Sequence, residues 1–224
     1  VYSDFTEFLG FKPMNDECST MALAAFGQPE FYGIVSKLLA IDAGGNLRVD
    51  PEYLQFDRFF RSPFTKKFLT AFGEPYRGRY DFSSFEQGNV VSIEQRHYAN
   101  VAASIQKVFE ERLLQLAAIS KRLTGSENLS YAGGGALNCV ANTRLIEESG
   151  FKEIFVPTEP GDGGAALGAA LFGGLQEGGA PRNLVNPYLG ESHQADAEIL
   201  PHIEVTALRR FRRKGLTSEP AKEW

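Results

Sequence analysis

The sequence predicts an α/β fold with helical insertions, and three observations carry that reading. Residues 126–172 contain strand, glycine turn and helix twice in succession. A helical signal from Ser92 to Leu123 leads directly into the first of those strands. Upstream, short helical stretches alternate with a turn, Ala43-Gly44-Gly45-Asn46, set between two short strands.

The double unit is read as follows. Leu129-Ser130-Tyr131-Ala132 is a short apolar run that ends at Gly133, Gly134 and Gly135. From Ala136, Leu137, Val140, Ala141 and Leu145 recur at helical spacing. Ser149-Gly150 stops that helix, because glycine adopts the left-handed C-terminal conformation without strain. Ile154-Phe155-Val156 is a second strand closed by Pro157, and the turn at 160–164 feeds a helix of small residues from Ala165 to Leu171. Two helix N-termini therefore open near the same strand ends. Glycines let a ligand approach the backbone, and unsatisfied N–H groups favour an anion. Tight structural turns are the alternative. The spacing is neither the G-x-G-x-x-G dinucleotide fingerprint nor a phosphate loop ending in Gly-Lys-Ser/Thr.

Upstream, Tyr2, Phe5, Phe8 and Leu9 share a helical face that ends at Gly10. Residues 16–27 form a second unit of small and apolar residues, and Phe31 to Ile41 is a helical apolar stretch. Leu47 and Val49 alternate after the turn at 43–46. Residues 53–85 hold eleven aromatics, with a spacing of four from Phe56 to Phe72 interrupted at Pro63. Interleaved Arg and Lys residues admit a stacking platform for single-stranded nucleic acid, but packing into a local core is the favoured reading. Along Ser92–Leu123, Ala99, Ala102, Ala103, Ile105, Gln106, Val108, Leu113 and Leu116 mix a core face with small residues. His97 is expected to cap or to lie on the surface. His193 and His202 have no partner at metal-ligand spacing.

Composition bounds the partners. The 224 residues are enough for one large domain or two small ones. A net charge of −5 gives no overall footprint for nucleic acid. Cys18 and Cys139 are too few for a disulfide framework, which suits a reducing compartment. There is no apolar run of membrane-spanning length. The beginning at Val1 reads as the middle of a helix, so a sheet edge left open is expected. Glycines at 173–174 and 178–179 mark the end of the compact unit, and Arg209, Arg210, Arg212, Arg213 and Lys214 make a basic run read as a solvated linker.

On these residues the chain resembles a known family. AGGGALNCVANTRL followed by PGDGGAALGAAL is similar to the carbamoyltransferases of antibiotic and nodulation-factor biosynthesis, whose order is Ala-Gly-Gly-Val-Ala-Leu-Asn-Cys and then Gly-Asp-Ala-Gly-Gly-Ala-Leu-Gly. Tyr2 to Pro13, the stretch around Met21, Phe64 to Arg77, and Ala102 to Gln106 resemble further family segments. Ser19 stands where the family has Lys, Ala25 where it has Pro, and Gly135 where it has Val.

The resemblance implies the second lobe of a Kae1-like domain of the actin/Hsp70-like ATPase (ribonuclease H-like) type, over residues 1–190. Residues 191–224 would then be a linker toward a YrdC-like domain, with that domain and the N-terminal lobe outside the chain. It implies an ATP-dependent O-carbamoyltransferase of the cytoplasm. A carbamoyl group, activated as carbamoyl-adenylate from carbamoyl phosphate and ATP, passes to a hydroxyl of a sugar, nodulation factor or antibiotic precursor. By the same resemblance Gly133, Gly134 and Asn138 meet the nucleotide and Asp162 binds a divalent metal, iron being favoured by two histidines of the other lobe. No catalytic residue is assigned, and residues 1–224 alone are expected to be inactive. Two other readings stay open: a threonylcarbamoyl transferase acting on tRNA, and a nucleotide-binding relic without catalysis.

Overall fold

A computed structural model describes residues 1–55, 62–80 and 93–179, and the described residues belong to one compact unit. Helix α1 (Tyr2–Phe8) buries Phe5 and Phe8 and ends at Gly10, whose φ is +83°. Gly10 is required by space as well as by dihedral, since a Cβ there would stand 2.7 Å from the Tyr76 carbonyl oxygen. Helix α2 (Glu17–Ala24) follows; the Glu17 carboxylate accepts from the Met14 N–H at 2.7 Å and from the Ser3 hydroxyl at 2.6 Å.

Helix α3 (Tyr32–Leu38) is shorter than the helical stretch expected for residues 31–41. Its last three residues form strand β1 (Leu39–Ile41), antiparallel to β2 (Leu47–Val49). The hairpin wins because Asp42 closes its turn, accepting from the N–H groups of Gly44 and Asn46. Helix α4 (Lys66–Phe72) is capped by the Thr65 hydroxyl, which accepts from the Phe68 N–H at 3.2 Å. The aromatic stripe is packed rather than displayed. Phe68 and Phe72 are fully buried with Phe5 and Phe8, and the ring centroids of Phe64 and Phe68 lie 4.8 Å apart. Phe56, Phe59 and Phe60 of that stripe, and the residue 190 boundary, lie outside the described residues.

Helix α5 (Ile93–Thr124) runs 32 residues, about 48 Å at the α-helical rise. Its first half, from Tyr98 to Val108, lies in the main core with α1, α2, α3 and α4. Its second half enters a separate, smaller core, where Ala117 meets Leu145 and Phe151. His97, near its start, takes a cap role on another element. Its Nε2 is 2.6 Å from the carbonyl of Phe72, the last residue of α4, and its ring packs edge-on against Phe31.

Strand β3 (Asn128–Ser130) pairs in parallel with β4 (Glu153–Phe155), in the register Leu129 opposite Ile154. Helix α6 (Cys139–Glu148) makes the crossover. Leu129 and Ile154 pack toward α5, while Asn128, Ser130, Glu153 and Phe155 are exposed. Helix α7 (Gly163–Gln176) is longer than the expected 165–171. Gly173 and Gly174 are carried within it, and the helix ends at Gly178, whose φ is +84° and whose N–H donates to Leu175.

Helix α7 has no charged residue and no buried one, with Phe172 64% and Leu175 44% exposed. A helix apolar on all sides is ordinarily covered, and parallel sheets are ordinarily covered on both faces. None of the helices among the described residues is long and apolar enough to cross a membrane. Residues 1–224 are therefore expected to self-associate. Sizing at rising concentration should show assembly that the double substitution Phe172→Glu and Leu175→Glu reduces. A monodisperse monomer at high concentration would count against this.

Candidate functional site

The two glycine turns lie side by side at the C-terminal ends of β3 and β4. The Tyr131 N–H donates to the Phe155 carbonyl at 2.9 Å, which extends the strand ladder by one step. Two residues on, the Gly133 N–H donates to the Pro160 carbonyl at 2.7 Å. That bond joins the first turn to the second. It is made with Gly133 at φ +101°, where a side chain would strain the backbone.

The glycines of the two turns serve different ends. Around Gly133 and Gly134 nothing lies within 4 Å of a built Cβ, so the outer side of the first turn is open. Gly164 is the opposite case: a Cβ would meet the Glu159 carbonyl oxygen at 2.0 Å. Glycine there lets the first turn of α7 lie directly against the backbone of the preceding loop. At Gly135 a Cβ would stand 2.8 Å from the Tyr131 hydroxyl and 3.4 Å from the Phe109 ring, so this position is filled from within the fold.

From Gly134 to Leu137 the chain forms a 3-10 turn, and the helix expected from Ala136 begins at Cys139 instead. Asn138 is the reason. It takes extended dihedrals, φ −80° and ψ 92°, and its Oδ1 accepts from the Ala141 N–H at 3.0 Å. This is the arrangement a capping side chain needs. Asn138 is also buried against α5. Its Nδ2 donates to Gln106 Oε1 at 2.8 Å, and its Oδ1 accepts from Gln106 Nε2 at 3.1 Å.

Gln106 extends the network in both directions. Its Oε1 accepts from the Tyr2 hydroxyl at 2.7 Å, and its Nε2 donates to Glu110 Oε1 at 2.7 Å. Glu110 in turn holds Arg144 of α6 at 3.1 Å. Burial first, then the charge of Glu110, pushes the Tyr2 hydroxyl above the ordinary tyrosine value, so it stays a donor. Beneath the same turn, Asn142 Nδ2 donates to the Ala136 carbonyl at 2.7 Å, while its Oδ1 is buried with no hydrogen-bond partner. The sequence reading gave Gln106 no site role; a polar residue on the core face of α5, four before an acidic one, is the signal that could have found it.

Asp162 opens α7 but does not cap it. Its dihedrals, φ −61° and ψ −32°, are already helical, and its side chain makes no capping hydrogen bond. The residue is exposed. Gly133, Gly134 and Asp162 are thus brought to one end of the parallel pair, with Asn138 behind the first turn. Among the described residues no group of three or more His, Cys, Asp or Glu is placed to hold a metal. The donor set present, one exposed carboxylate, does not make a metal site by itself. Ser19 lies in the first turn of α2 with its N–H donating to the Asp16 carbonyl.

Comparison with known proteins gives a consistent result. The family model described as carbamoyltransferase N-terminus matches residues 1–171. An uncharacterized protein of Synechocystis sp. is 38% identical over 172 residues, covering 76% of this chain and 26% of that protein. Nodulation protein NolNO of Sinorhizobium fredii is 27% identical over 228 residues, covering 92% of this chain and 28% of that protein. Nodulation protein NolO of Bradyrhizobium diazoefficiens is 28% identical over 205 residues, covering 88% and 33%. The chain therefore spans between a quarter and a third of the length of these relatives.

The open and the closed glycines separate experimentally. Gly164→Ala is expected to lower stability by about 1–3 kcal/mol, the usual cost of forcing atoms into filled space, whereas Gly134→Ala has room for its methyl group. Denaturant unfolding of the two variants checks this. Equal stabilities would mean that the Glu159–Gly164 approach is not a feature of the folded chain.

Proposed function

The chain belongs to the carbamoyltransferase family, and from that premise we propose that it forms one lobe of the transfer site of an ATP-dependent O-carbamoyltransferase. The observation that supports the reading best is the Gly133–Pro160 hydrogen bond, which sets two glycine turns side by side with the outer side of Gly133 and Gly134 open. A carbamoyl-adenylate has a flat base, a ribose and a phosphate, and an open backbone turn lets such a ligand approach without meeting a side chain. Gly133 and Gly134 back the nucleotide, and Asn138, the cap of the following helix, offers it a hydrogen bond.

Asp162 supplies one ligand of a divalent metal whose other ligands lie on another lobe of the longer protein. A carboxylate with imidazoles suits iron or another transition metal, and the ion would contribute positive charge near the phosphate and the leaving group. The lobe is of the actin and Hsp70-like type, and the parallel β3–α6–β4 crossover is one unit of it. Transfer joins the acceptor hydroxyl oxygen to the carbamoyl carbon while the bond from that carbon to the phosphate oxygen breaks, releasing AMP and the hydroxyl proton. The acceptor is a hydroxylated small molecule, and the compartment is the cytoplasm, where the exposed thiols of Cys18 and Cys139 would stay reduced.

Two substitutions in the full-length protein test the reading. Gly134→Val should abolish nucleotide binding with little loss of fold, because its side chain enters space that no protein atom occupies. Unchanged nucleotide affinity in a variant that is folded by circular dichroism would refute the placement. Asp162→Asn should leave stability almost unchanged, since no capping bond is lost, while metal content and carbamoyl transfer fall together. Retention of stoichiometric metal and normal turnover would remove Asp162 from the site.

A further inference from the structure

We propose that the cavity between α2, α5 and α6 binds a neutral, polyhydroxylated ring of the sugar class, and that this ring is the acceptor of the transfer reaction. The acceptor role rests on the transfer reading above. The ring site rests on the cavity itself.

The cavity holds about 480 Å³, within the range of small-molecule sites. Its apolar wall is made of short side chains, Ala24 and Ala25 at the end of α2, Ala103 of α5 and Val140 of α6, with Met21 beside them. Gly27 holds the end of α2 on the backbone of α5, since a Cβ there would stand 2.0 Å from the Ala99 carbonyl oxygen. With the backbones in contact at that point, the space beside them stays open because the side chains facing it are small. Ala25 is also a position where the chain departs from its family, with Ala in place of Pro.

The polar wall is Lys107, Glu110 and Glu111 of α5 with Arg144 of α6. Two cations and two carboxylates leave the lining without net charge. The Glu110–Arg144 pair is already committed: Arg144 meets Glu110 at 3.1 Å and Glu148 at 2.6 Å, and the other Glu110 oxygen accepts from Gln106. Lys107 and Glu111 keep capacity. The Lys107 ammonium lies over the Tyr32 ring, 5.1 Å from its centroid, and makes no ion pair among the described residues. Glu111 Oε2 accepts from the Tyr32 hydroxyl at 2.7 Å, while Oε1 has no hydrogen bond among the described residues.

Four residues apart on α5, Lys107 and Glu111 share a helix face. An ammonium only donates and a carboxylate only accepts, whereas a hydroxyl does both. Neighbouring hydroxyls of one ring can therefore take both groups at once, and the C–H face of the ring can pack on the alanines. A phosphate or an amine would be drawn to one group and repelled by the other. Val140 lies two residues beyond Asn138, the cap of α6, so the α6 wall of the cavity begins where the first glycine turn ends.

The test is ligand-observed saturation-transfer NMR on the full-length protein, with a separate AMP-PNP titration. The probes are the methyl glycosides of glucose, mannose and galactose, with glucosamine and glucuronate as charged counterparts, at slightly acidic pH where the amine is charged. At least one neutral glycoside should bind, and the charged sugars should bind more weakly. Ala25→Leu adds bulk to the apolar wall at an exposed position and should weaken glycoside binding about tenfold, as small changes of volume in a pocket do. Lys107→Met keeps the chain length without the charge and should weaken it about threefold or more, the net worth of a hydrogen bond. Both variants should melt with the parent and bind AMP-PNP as it does. Failure of every neutral glycoside to bind overturns the proposal, as does tighter binding of glucosamine or glucuronate, or glycoside binding unchanged in either variant. If the parent binds a glycoside that Ala25→Leu loses but binds no AMP-PNP, the ring site stands and the transfer reading fails, taking the acceptor role with it.

Discussion

Both hydrophobic cores of this fold hang on one helix. From Tyr98 to Val108, α5 lies in the main core, and from Leu113 to Ala117 it packs into the smaller one beneath β3 and β4. Between them lie Glu110, Glu111 and Arg112, whose polar side chains tie other elements to the helix. Arg112 donates to the carbonyls of Ser36 in α3 and Leu39 in β1, and Glu110 holds Arg144, while one turn earlier Gln106 meets Tyr2 and Asn138. Close packing reinforces this register. A Cβ at Gly27 would fall 2.0 Å from the Ala99 carbonyl oxygen, so only glycine lets the end of α2 lie directly on the α5 backbone. The position of α6, and with it the first glycine turn, is inherited from α5.

A glycine required by the fold and a glycine that leaves room for something else look identical in sequence. Here they differ in what a methyl group would strike. Gly164 and Gly27 meet backbone oxygen at 2.0 Å, which nothing can relieve by moving a side chain. Gly135 meets the end of a tyrosine side chain, which can turn aside. Gly133 and Gly134 meet nothing, yet Gly133 has a backbone conformation that only glycine takes readily. The open pair lies on the turn for which the sequence left a ligand and a tight structural turn both open, and the filled ones lie where the chain must approach itself.

What was legible in the sequence was the periodic part. The 32-residue α5, α1 with Phe5 and Phe8 on its inner face, the parallel order of β3 and β4, and the packed role of Phe64, Phe68 and Phe72 follow from spacing alone. Two of the misses share a cause: a side-chain hydrogen bond or a pairing decided a boundary that apolar spacing left open. Asp42 draws Leu39–Ile41 out of α3 into a hairpin, and the capping oxygen of Asn138 delays α6 by three residues from the expected Ala136. Helix α7 overran its expected end because Gly173 and Gly174 can remain helical when no proline or left-handed residue intervenes before Gly178. The Gln106 network was the least legible, since residues 2, 106 and 138 meet only once α1, α5 and α6 are in place.

The same unit holds an internal control for the meaning of Asp162. Both Asn138 and Asp162 stand at the head of a helix, and both residue types are good caps. Asn138 takes extended dihedrals, which swing its side chain back over the first turn, and its oxygen accepts the Ala141 N–H. Asp162 takes helical dihedrals, which direct its side chain away from the N–H groups behind it, and it makes no such bond. A carboxylate at the positive end of a helix still gains from the helix dipole, by about 0.3–1 kcal/mol at an exposed site. That gain does not require aspartate at 162 in particular, because a glutamate or aspartate anywhere in the first turn would obtain it. Capping therefore fails to account for Asp162, whereas it accounts fully for one half of the Asn138 side chain. The other half of Asn138 is held by Gln106, whereas Asp162 stands exposed at the head of α7, two residues beyond the Pro160 carbonyl that joins the two glycine turns.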